Sequence, residues 1–295
     1  MQPAAKLLRW YDREGRSLPW RRTCDPYRIL VSEVMLQQTQ VSRALLFYKR
    51  WFKMFPNWTT LSRASNGTVL RAWAGLGYNR RALMLRDAAR HVAKHGIPKT
   101  ESDWRAIKGI GLYTAKALMA FAYKARTIPI DTNVRRVGGR LWLSKPFAQP
   151  ADDARIERAG LKWIGGSKRA HEVSQALFDL GSSYCTKVPT CATCPMRTVC
   201  PAAAKFIEGR VCVPKRSVTK VIERIRDGKR YPDRIYRGRI VAYLRNVESA
   251  ATGQIGCVVD PLYCAKDRAW LAAMLERLEG DEMIRRIGRR YALAK

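Results

Sequence analysis

The feature that most constrains this sequence is a pair of closely spaced glycines, Gly109 and Gly111, between two apolar segments of helical periodicity. The second segment places Ala115 and Leu118 on one helical face. A helix, a tight turn and a second helix are therefore predicted at this point of the chain. Glycine lets a backbone approach another molecule closely, and a helix N-terminus carries partial positive charge, so the turn favours a phosphate ligand.

A single carboxylate, Asp131, follows the second predicted helix, between the apolar residues 128–130 and the basic pair 135–136. An acid held among apolar residues near a phosphate-binding turn is suited to stabilising a cation on a sugar. The alternative is that the two glycines only join packed helices and that Asp131 caps the next helix. Short glycine motifs are common, so the residues of this stretch alone leave both interpretations open.

The charge balance predicts a polyanionic partner. Lys and Arg number 56 against 24 Asp and Glu, a net charge of +32 at pH 7, and the excess is spread along the 295 residues. Nucleic acid is the expected partner of such a chain. A membrane surface is the alternative, but no apolar run approaches transmembrane length and the N-terminus does not resemble a signal peptide. A soluble, cytoplasmic and nucleoid-associated protein is expected.

Four of the eight cysteines lie within one short segment, at Cys185, Cys191, Cys194 and Cys200. In an intracellular protein such a cluster indicates metal binding and not disulfides. Four thiolates in one loop hold either zinc or a [4Fe–4S] cluster. Structural zinc usually uses two Cys-x2-Cys pairs and this segment has one, so the spacing is less typical of zinc, and both groups stay possible from the residues alone.

A helix is predicted from Tyr27 to Thr39, and Glu33 is its only charged residue after Arg28. A carboxyl group among apolar side chains tends to have a raised pKa, which keeps it protonated near neutral pH and able to donate to a leaving group. The alternative is a glutamate at the rim of the site, paired with one of the many arginines.

The residues around Glu33 carry a specific resemblance. The segment Leu18-Pro19-Trp20-Arg21 and the segment 32–41, SEVMLQQTQV, match the MutY-like adenine DNA glycosylases almost residue for residue. These enzymes belong to the helix-hairpin-helix superfamily of base-excision glycosylases, whose hairpin and aspartate the glycine pair and Asp131 also resemble. The resemblance covers residues 7 to about 201.

The resemblance implies a role for each matching residue. Glu33 is the general acid, Asp131 stabilises the sugar cation, and Asn133 belongs to the same short motif. Tyr113 occupies the place of the catalytic lysine of bifunctional relatives, which implies a monofunctional enzyme in which Tyr113 positions Asp131 or the substrate. The implied base-pocket residues are Arg21 and Gln175, and the implied DNA-binding residues are Gln38, Thr39, Leu76, Tyr78, Gly109 and Gly111. The four clustered cysteines are the implied ligands of a [4Fe–4S] cluster, and zinc is the lesser alternative.

The expected fold is mainly α: a two-lobed helix-hairpin-helix DNA glycosylase with a [4Fe–4S] loop, followed by a small winged-helix-like module. Its expected parts are a six-helix lobe over 25–130, a cluster lobe over 1–24 plus 131–204, a basic connector over 205–233 and the module over 234–295. In the module, helices are predicted at Tyr236–Leu244 and Ala269–Leu278, and a hairpin at Met283–Leu293. The chain after about residue 201 is too short for the C-terminal domain usual in MutY proteins.

The expected function is excision of a mispaired base, adenine opposite 8-oxoguanine or guanine, by a monofunctional DNA glycosylase. The expected partner is double-stranded DNA that carries a mismatch or an oxidised base, with no membrane, and the protein is expected to be a monomer. Two alternatives remain. One is a glycosylase of the same fold that removes thymine or uracil opposite guanine, and the other is a DNA-binding iron–sulfur regulator without glycosylase activity.

Overall fold

The computed structural model describes residues 3–214, 223 and 225–295. The described chain divides into two compact units. Unit 1 comprises Met1–Glu33, Lys99–Ala106 and Ile110–Ser217, and unit 2 comprises Val34–Pro98, Ile107–Gly109 and Val218–Lys295. The predicted basic connector, 205–233, falls partly outside the described residues. No helix within the described ranges is long and apolar enough to cross a membrane.

Unit 1 is a helical assembly around one apolar core. Its helices are α1 (Pro3–Glu14), the first part of α2 (Pro26–Leu36), α7 (Glu101–Ala106), α8 (Leu112–Phe121), α9 (Thr132–Leu143), α10 (Asp153–Ile164), α11 (Ala170–Ser183) and α12 (Ala203–Ile207). Leu7, Val137 and Leu177 from three of these helices lie in the core and are at most 1% exposed. Their helical spacing gives each helix an apolar face, whose burial stabilises the unit.

The N-terminal part of unit 2 contains the end of α2, then α3 (Val41–Met54), α4 (Trp58–Arg63), α5 (Asn66–Ala72) and α6 (Arg80–His95). Trp51 and Trp73 pack edge to face at 5.5 Å between ring centroids, and both are fully buried. The indole of Trp73 also donates a hydrogen bond to the carbonyl of Gly77 at 2.9 Å. The loop 74–79 before α6 is thereby attached to the core of unit 2.

The C-terminal module of unit 2 has three helices and a three-stranded antiparallel sheet. It contains α13 (Asp233–Leu244), β1 (Ala250–Ala251), α14 (Thr252–Val259), α15 (Arg268–Gly280), β2 (Ile284–Ile287) and β3 (Arg290–Leu293), in the sheet order β1-β3-β2. The predicted hairpin and two helices are confirmed, and Gly288 adopts a positive φ of 58° in the hairpin turn. Helix α14 and strand β1 were not predicted, because their small residues show no clear periodicity.

This module packs on the N-terminal part of unit 2 through hydrogen bonds to its backbone carbonyls. The amide of Gly67 donates to the carbonyl of Ala294 at 2.7 Å, and the Asn66 side chain donates to the carbonyl of Glu282 at 2.7 Å. A Cβ atom at position 67 would lie 2.9 Å from that Ala294 oxygen, so only glycine permits the approach. The module is therefore an integral part of unit 2.

One predicted helix boundary is wrong. Helix α2 ends at Leu36 and not at Thr39, because Gln38 adopts a left-handed conformation with φ of 55°. The amide of Thr39 then bonds to the carbonyl of Leu36 at 3.3 Å, closing a turn. Gln38 and Thr39 consequently lie on a loop.

Candidate active site

Glu33 lies on α2 and is 7% exposed, surrounded by an apolar helix face. Burial raises its pKa to about 7, and the charge of Asp131 adds to the rise. A hydrogen bond from Tyr113 and the charge of Arg21 oppose it. Glu33 is therefore close to half protonated at neutral pH, which suits a general acid better than a permanently ionised carboxylate.

Tyr113, in the first turn of α8, holds Glu33 in place. Its hydroxyl donates a 2.9 Å hydrogen bond to Glu33 Oε2. Burial, followed by the charges of Glu33 and Asp131, raises the pKa of Tyr113 well above its usual value, so the phenol stays protonated and remains a donor. The sequence suggested Asp131 or the substrate as the group that Tyr113 positions, and the structure assigns its hydroxyl to Glu33.

Asp131 is the N-terminal cap of α9. One carboxylate oxygen accepts from the amide of Val134 at 2.7 Å, and the other accepts from Asn133 Nδ2 at 2.9 Å. The Asn133 oxygen in turn accepts from Arg136 at 2.9 Å. Burial raises the pKa of Asp131 above its ordinary value, and these donors and the charge of Arg136 offset only part of the rise. The helix-cap interpretation is thus correct, and the capping carboxylate is half-buried.

The two carboxyl groups have different partners. Glu33 receives one hydroxyl donor in an apolar setting, and Asp131 receives backbone and amide donors at a helix N-terminus, where negative charge is favoured. Environments of this kind push the pKa values of paired acids apart, so that one holds a proton while the other is ionised. The pair is suited to acid-assisted cleavage of a glycosidic bond through a cationic sugar.

Arg21 and Gln175 line a common cavity of about 490 Å³ in unit 1, together with Tyr11 and Phe121. The Tyr11 hydroxyl donates to Gln175 Oε1 at 2.8 Å. Gln175 is 8% exposed, so its amide has a fixed orientation at the cavity wall. The structure therefore brings together the two residues expected to form a base pocket.

Asp179 is a site residue that the sequence did not reveal. Its buried carboxylate accepts from Arg21 at 2.7 and 2.8 Å and from the side chain and backbone of Arg16 at 2.6 and 2.8 Å. Burial alone would raise its pKa, but the arginines outweigh that effect and hold it below the usual value. The only sequence signal is that Asp179 follows Gln175 by one helical turn on α11.

The remaining predicted DNA-binding residues occupy different settings. In unit 2, Gln38 and Tyr78 both have positive φ, of 55° and 48°, and both line one cavity. Leu76 is buried at 7% exposed, whereas Tyr78 is 58% exposed. Thr39 is half-buried on the loop after α2 and is not part of this cavity wall.

The two glycines of the predicted turn differ in their need for glycine. Gly109 has φ of 93°, and a Cβ atom there would lie 2.4 Å from Met84 Cγ, so both conformation and space require glycine. Gly111 is the N-cap of α8 in an extended conformation, and a Cβ atom there would meet nothing within 4 Å. Open space before a helix N-terminus is compatible with the approach of a phosphate.

The four clustered cysteines line one small cavity in unit 1, walled by apolar side chains that include Val137, Leu141 and Met196. Burial and the charges of the neighbouring thiolates raise the pKa values of Cys191 and Cys200, and the pKa of Cys194 rises to about 11 chiefly through burial. Among the residues that the structure describes, no group of His, Cys, Asp and Glu is placed to hold a single metal ion.

Arg140 of α9, also missed at the sequence level, ties this cysteine loop to the core. It is 2% exposed, lies 3.3 Å through Nη1 from Cys185 Sγ, and donates to the carbonyls of Thr186 at 2.6 Å and Lys187 at 3.0 Å. Its guanidinium also lies over the ring of Phe206 at 4.6 Å. The available signal was an arginine four residues after Arg136, placed between Gly139 and Leu141 in the apolar second half of the helix.

Comparison with known proteins places these residues in a family. The family described as "HhH-GPD superfamily base excision DNA repair protein" matches residues 31–165. The adenine DNA glycosylase of Mycolicibacterium smegmatis is 35% identical over 256 residues, which cover 84% of this chain and 82% of that protein. The adenine DNA glycosylase of Mycobacterium tuberculosis is 40% identical over 195 residues, which cover 64% of each protein.

A solved structure described as a thermostable thymine-DNA glycosylase has the same fold. The two structures align with a TM-score of 0.62 at 24% identity, over 68% of this chain and 95% of that one. At this identity the likeness concerns the fold alone. The sequence relatives decide the family: the chain belongs to the adenine DNA glycosylases of the HhH-GPD superfamily of base excision DNA repair proteins.

Proposed function

We propose that this protein is a monofunctional DNA glycosylase that excises adenine mispaired with 8-oxoguanine or guanine, leaving an abasic site. The observation that carries the proposal is the pair formed by Glu33, with its pKa near 7, and Asp131, held by hydrogen-bond donors. Glu33 donates its proton to the departing adenine. Asp131 stabilises the positive charge that develops on the sugar, and water then completes hydrolysis.

The monofunctional character rests on Tyr113. A lysine at this position would supply an amine that forms a Schiff base with the sugar and leads to strand cleavage, and a phenol cannot do so. The Tyr113 hydroxyl instead donates to Glu33, an interaction that restrains the rise in the pKa of that acid. Tyr113 thus adjusts the pKa of Glu33, the proposed proton donor, and forms no covalent bond to the sugar.

The cavity lined by Arg21 and Gln175 is proposed as the pocket for the extruded adenine. An amide is able to pair with the adenine edge through two hydrogen bonds. Asp179 fixes Arg21, and Tyr11 fixes Gln175, so the polar wall is preorganised before the base arrives. The adenine must leave the base stack of the duplex to enter this pocket. We propose that the exposed Tyr78 and Gln38 fill the gap that the extruded nucleotide leaves in the stack.

A [4Fe–4S] cluster is proposed at Cys185, Cys191, Cys194 and Cys200, with zinc as the lesser alternative. The residues fit the group: four thiols share one apolar cavity, and the Arg140 guanidinium is within hydrogen-bonding distance of a cysteine sulfur. Such bonds to sulfur tune iron–sulfur clusters. Its proposed role is structural. Iron and sulfide analysis of the purified protein tests this, and zinc in place of iron would contradict it.

The proposed partner is double-stranded DNA that carries a mismatch or an oxidised base, bound by a monomer at the nucleoid. The net charge of +32 supports electrostatic attraction to the phosphate backbone, which positions a protein without specifying sequence. Thr39, Leu76, Gly109 and Gly111 complete the proposed DNA-binding set.

Single-turnover excision on four matched duplexes tests the proposed function. The duplexes carry adenine opposite 8-oxoguanine, adenine opposite guanine, thymine opposite guanine, or uracil opposite guanine, and alkali reveals the abasic sites. Release of adenine from the first two is expected. Release of thymine or uracil alone would retain the mechanism and replace the substrate, whereas tight binding without release would favour a non-catalytic DNA-binding regulator.

A further inference from the structure

A second charged cavity, of about 640 Å³, lies wholly within unit 2 between the loop that bears Tyr78 and helix α13 of the C-terminal module. Five arginines line it, and no carboxylate side chain of the described residues does. They are Arg80, Arg81, Arg234, Arg237 and Arg245. We name it the arginine cavity.

The carboxylates near the arginine cavity are too few to neutralise it. The Asp281 carboxylate forms ion pairs with two of the arginines, 3.3 Å from Arg80 Nη1 and 3.1 Å from Arg237 Nη2. Glu223 pairs with Arg234. Neither Arg81 nor Arg245 has a carboxylate partner in the part of the chain that the structure describes. Five guanidinium groups and two carboxylates leave three positive charges in excess.

The two unpaired arginines are also poorly solvated. Arg245 donates to Asn79 Oδ1 at 2.7 Å, and Arg81 donates to the carbonyls of Val34, at 3.0 Å, and Leu76, at 3.3 Å, among others. The Nε atoms of Arg81, Arg237 and Arg245 are buried without a hydrogen-bond partner among the described residues. Burial lowers the pKa values of Arg81 and Arg245. Desolvated positive charge is costly unless an anion compensates it.

The wall of the arginine cavity also carries backbone strain and an exposed aromatic ring. Gln38 and Tyr78 both adopt the left-handed conformation, which is energetically unfavourable for a non-glycine residue. The Tyr78 ring is 58% exposed and lies 5.1 Å from the Arg81 guanidinium carbon. An exposed ring beside guanidinium groups is the combination that binds nucleotides, because the ring stacks on a base while arginine pairs with phosphate.

We infer that the arginine cavity binds a phosphodiester group of the DNA. The C-terminal module then contributes directly to binding of the DNA sugar-phosphate backbone. The inference rests on the proposed DNA substrate and not on the excision chemistry. Arginine suits this ligand because its planar group donates two parallel hydrogen bonds to phosphate oxygens. The proposed ligand is a phosphodiester monoanion that belongs to the backbone of a DNA strand.

The test is the salt dependence of duplex affinity for the full chain, measured by fluorescence anisotropy from about 50 to 200 mM salt. Arg245→Gln is expected to reduce the slope of log K against log salt by about 0.9, the value for one lost phosphate contact. Affinity should fall on the order of tenfold at low salt, and equally for every opposite base. The matched control is Arg277→Gln, an exposed arginine on α15 outside the cavity, which should leave the slope nearly unchanged.

A second variant guards against misfolding as the cause of lost affinity. Asp281→Asn removes the carboxylate that partly neutralises Arg80 and Arg237, so it should tighten duplex binding and steepen the salt dependence. Partial unfolding would not produce that gain. The inference is contradicted if Asp281→Asn weakens binding, or if Arg277→Gln and Arg245→Gln lower the slope equally.

Two further results would show that the arginine cavity binds a different ligand from a DNA phosphate. A loss confined to duplexes with guanine or 8-oxoguanine opposite adenine would mean that Arg245 reads a base edge and not a phosphate. Binding of ATP to the wild-type chain but not to Arg245→Gln, with an unchanged duplex slope, would mean a free-nucleotide site. The excision assay is read separately, so a protein that binds duplex through this cavity but releases no base would refute the proposed function alone.

Discussion

The two charged sites of this protein are built in opposite ways. In the candidate active site of unit 1, each of the two carboxyl groups has donors that adjust its protonation: Tyr113 for Glu33, and the first turn of α9 for Asp131. In unit 2, the arginine cavity gathers guanidinium groups that carboxylates only partly compensate. The first arrangement sets a pKa near neutrality, and the second keeps a permanent positive charge.

This difference corresponds to the two proposed tasks, acid catalysis and phosphate binding. Acid catalysis needs a group that both holds and releases a proton at the working pH, so burial and neighbours must place its pKa there. Phosphate binding needs a charge that does not titrate, which arginine supplies in any environment. The buried Arg21–Asp179 pair of unit 1 is a third case, because both charges are satisfied within the protein.

The largest expected effect is that of removing the negative charge of Asp131. Asp131→Asn should reduce single-turnover excision on the order of a thousandfold, because the amide retains the helix cap but loses the negative charge opposite the sugar cation. Duplex affinity should remain close to that of the wild type. Retained excision would show that Asp131 is a structural cap only.

The second largest expected effect is a loss of stability when the buried Arg21–Asp179 ion pair is broken. Asp179→Ala should lower the free energy of unfolding by about 3–5 kcal/mol, because it leaves Arg21 buried without its partner. Asp12→Ala, which breaks the exposed pair with Arg169, should cost no more than about 1 kcal/mol. Chemical denaturation of both variants measures the contrast, and equal losses would contradict the assigned role of burial.

A smaller effect follows from the pKa of Glu33. Its folded pKa of about 7 exceeds the ordinary value of 4.5, so its contribution to stability is fully present below pH 4.5 and is lost as the pH rises through 7. Glu33→Gln should therefore be more stable than the wild type at pH 8, by up to a few kcal/mol, with no such advantage at pH 4. Denaturation across this pH range checks the sign, with the exposed Glu276→Gln as the control for loss of a carboxylate.

The smallest expected effect is a shift in the pH profile. The Tyr113 hydrogen bond lowers the pKa of Glu33, so Tyr113→Phe should raise that pKa by less than about 1 unit, the scale of one hydrogen bond. The falling limb of the excision profile, where the acid loses its proton, should move to higher pH. A shift to lower pH would mean that Tyr113 does not act on Glu33.

The sequence predicted the helical class, the C-terminal hairpin, the cysteine segment and the two carboxylates, because each depends on short-range patterns. Gly109 shows the limit of this reasoning. Two glycines indicated a turn, but only the structure shows that the positive φ and the packing against Met84 require glycine at 109, whereas position 111 has room for a side chain. The end of α2 was misplaced for a similar reason, since the left-handed Gln38 has no sequence signature.

By itself, the sequence determined which residue types were present at helical and motif spacing, and through them the family. The tertiary structure decided the partners: Tyr113 with Glu33, Asp179 with Arg21, Arg140 with Cys185, and Arg245 with the loop of Tyr78. These pairs join residues that are 45 to 166 positions apart. Periodicity acts over a few residues, whereas burial and charge pairing depend on which distant segments the folded core brings together.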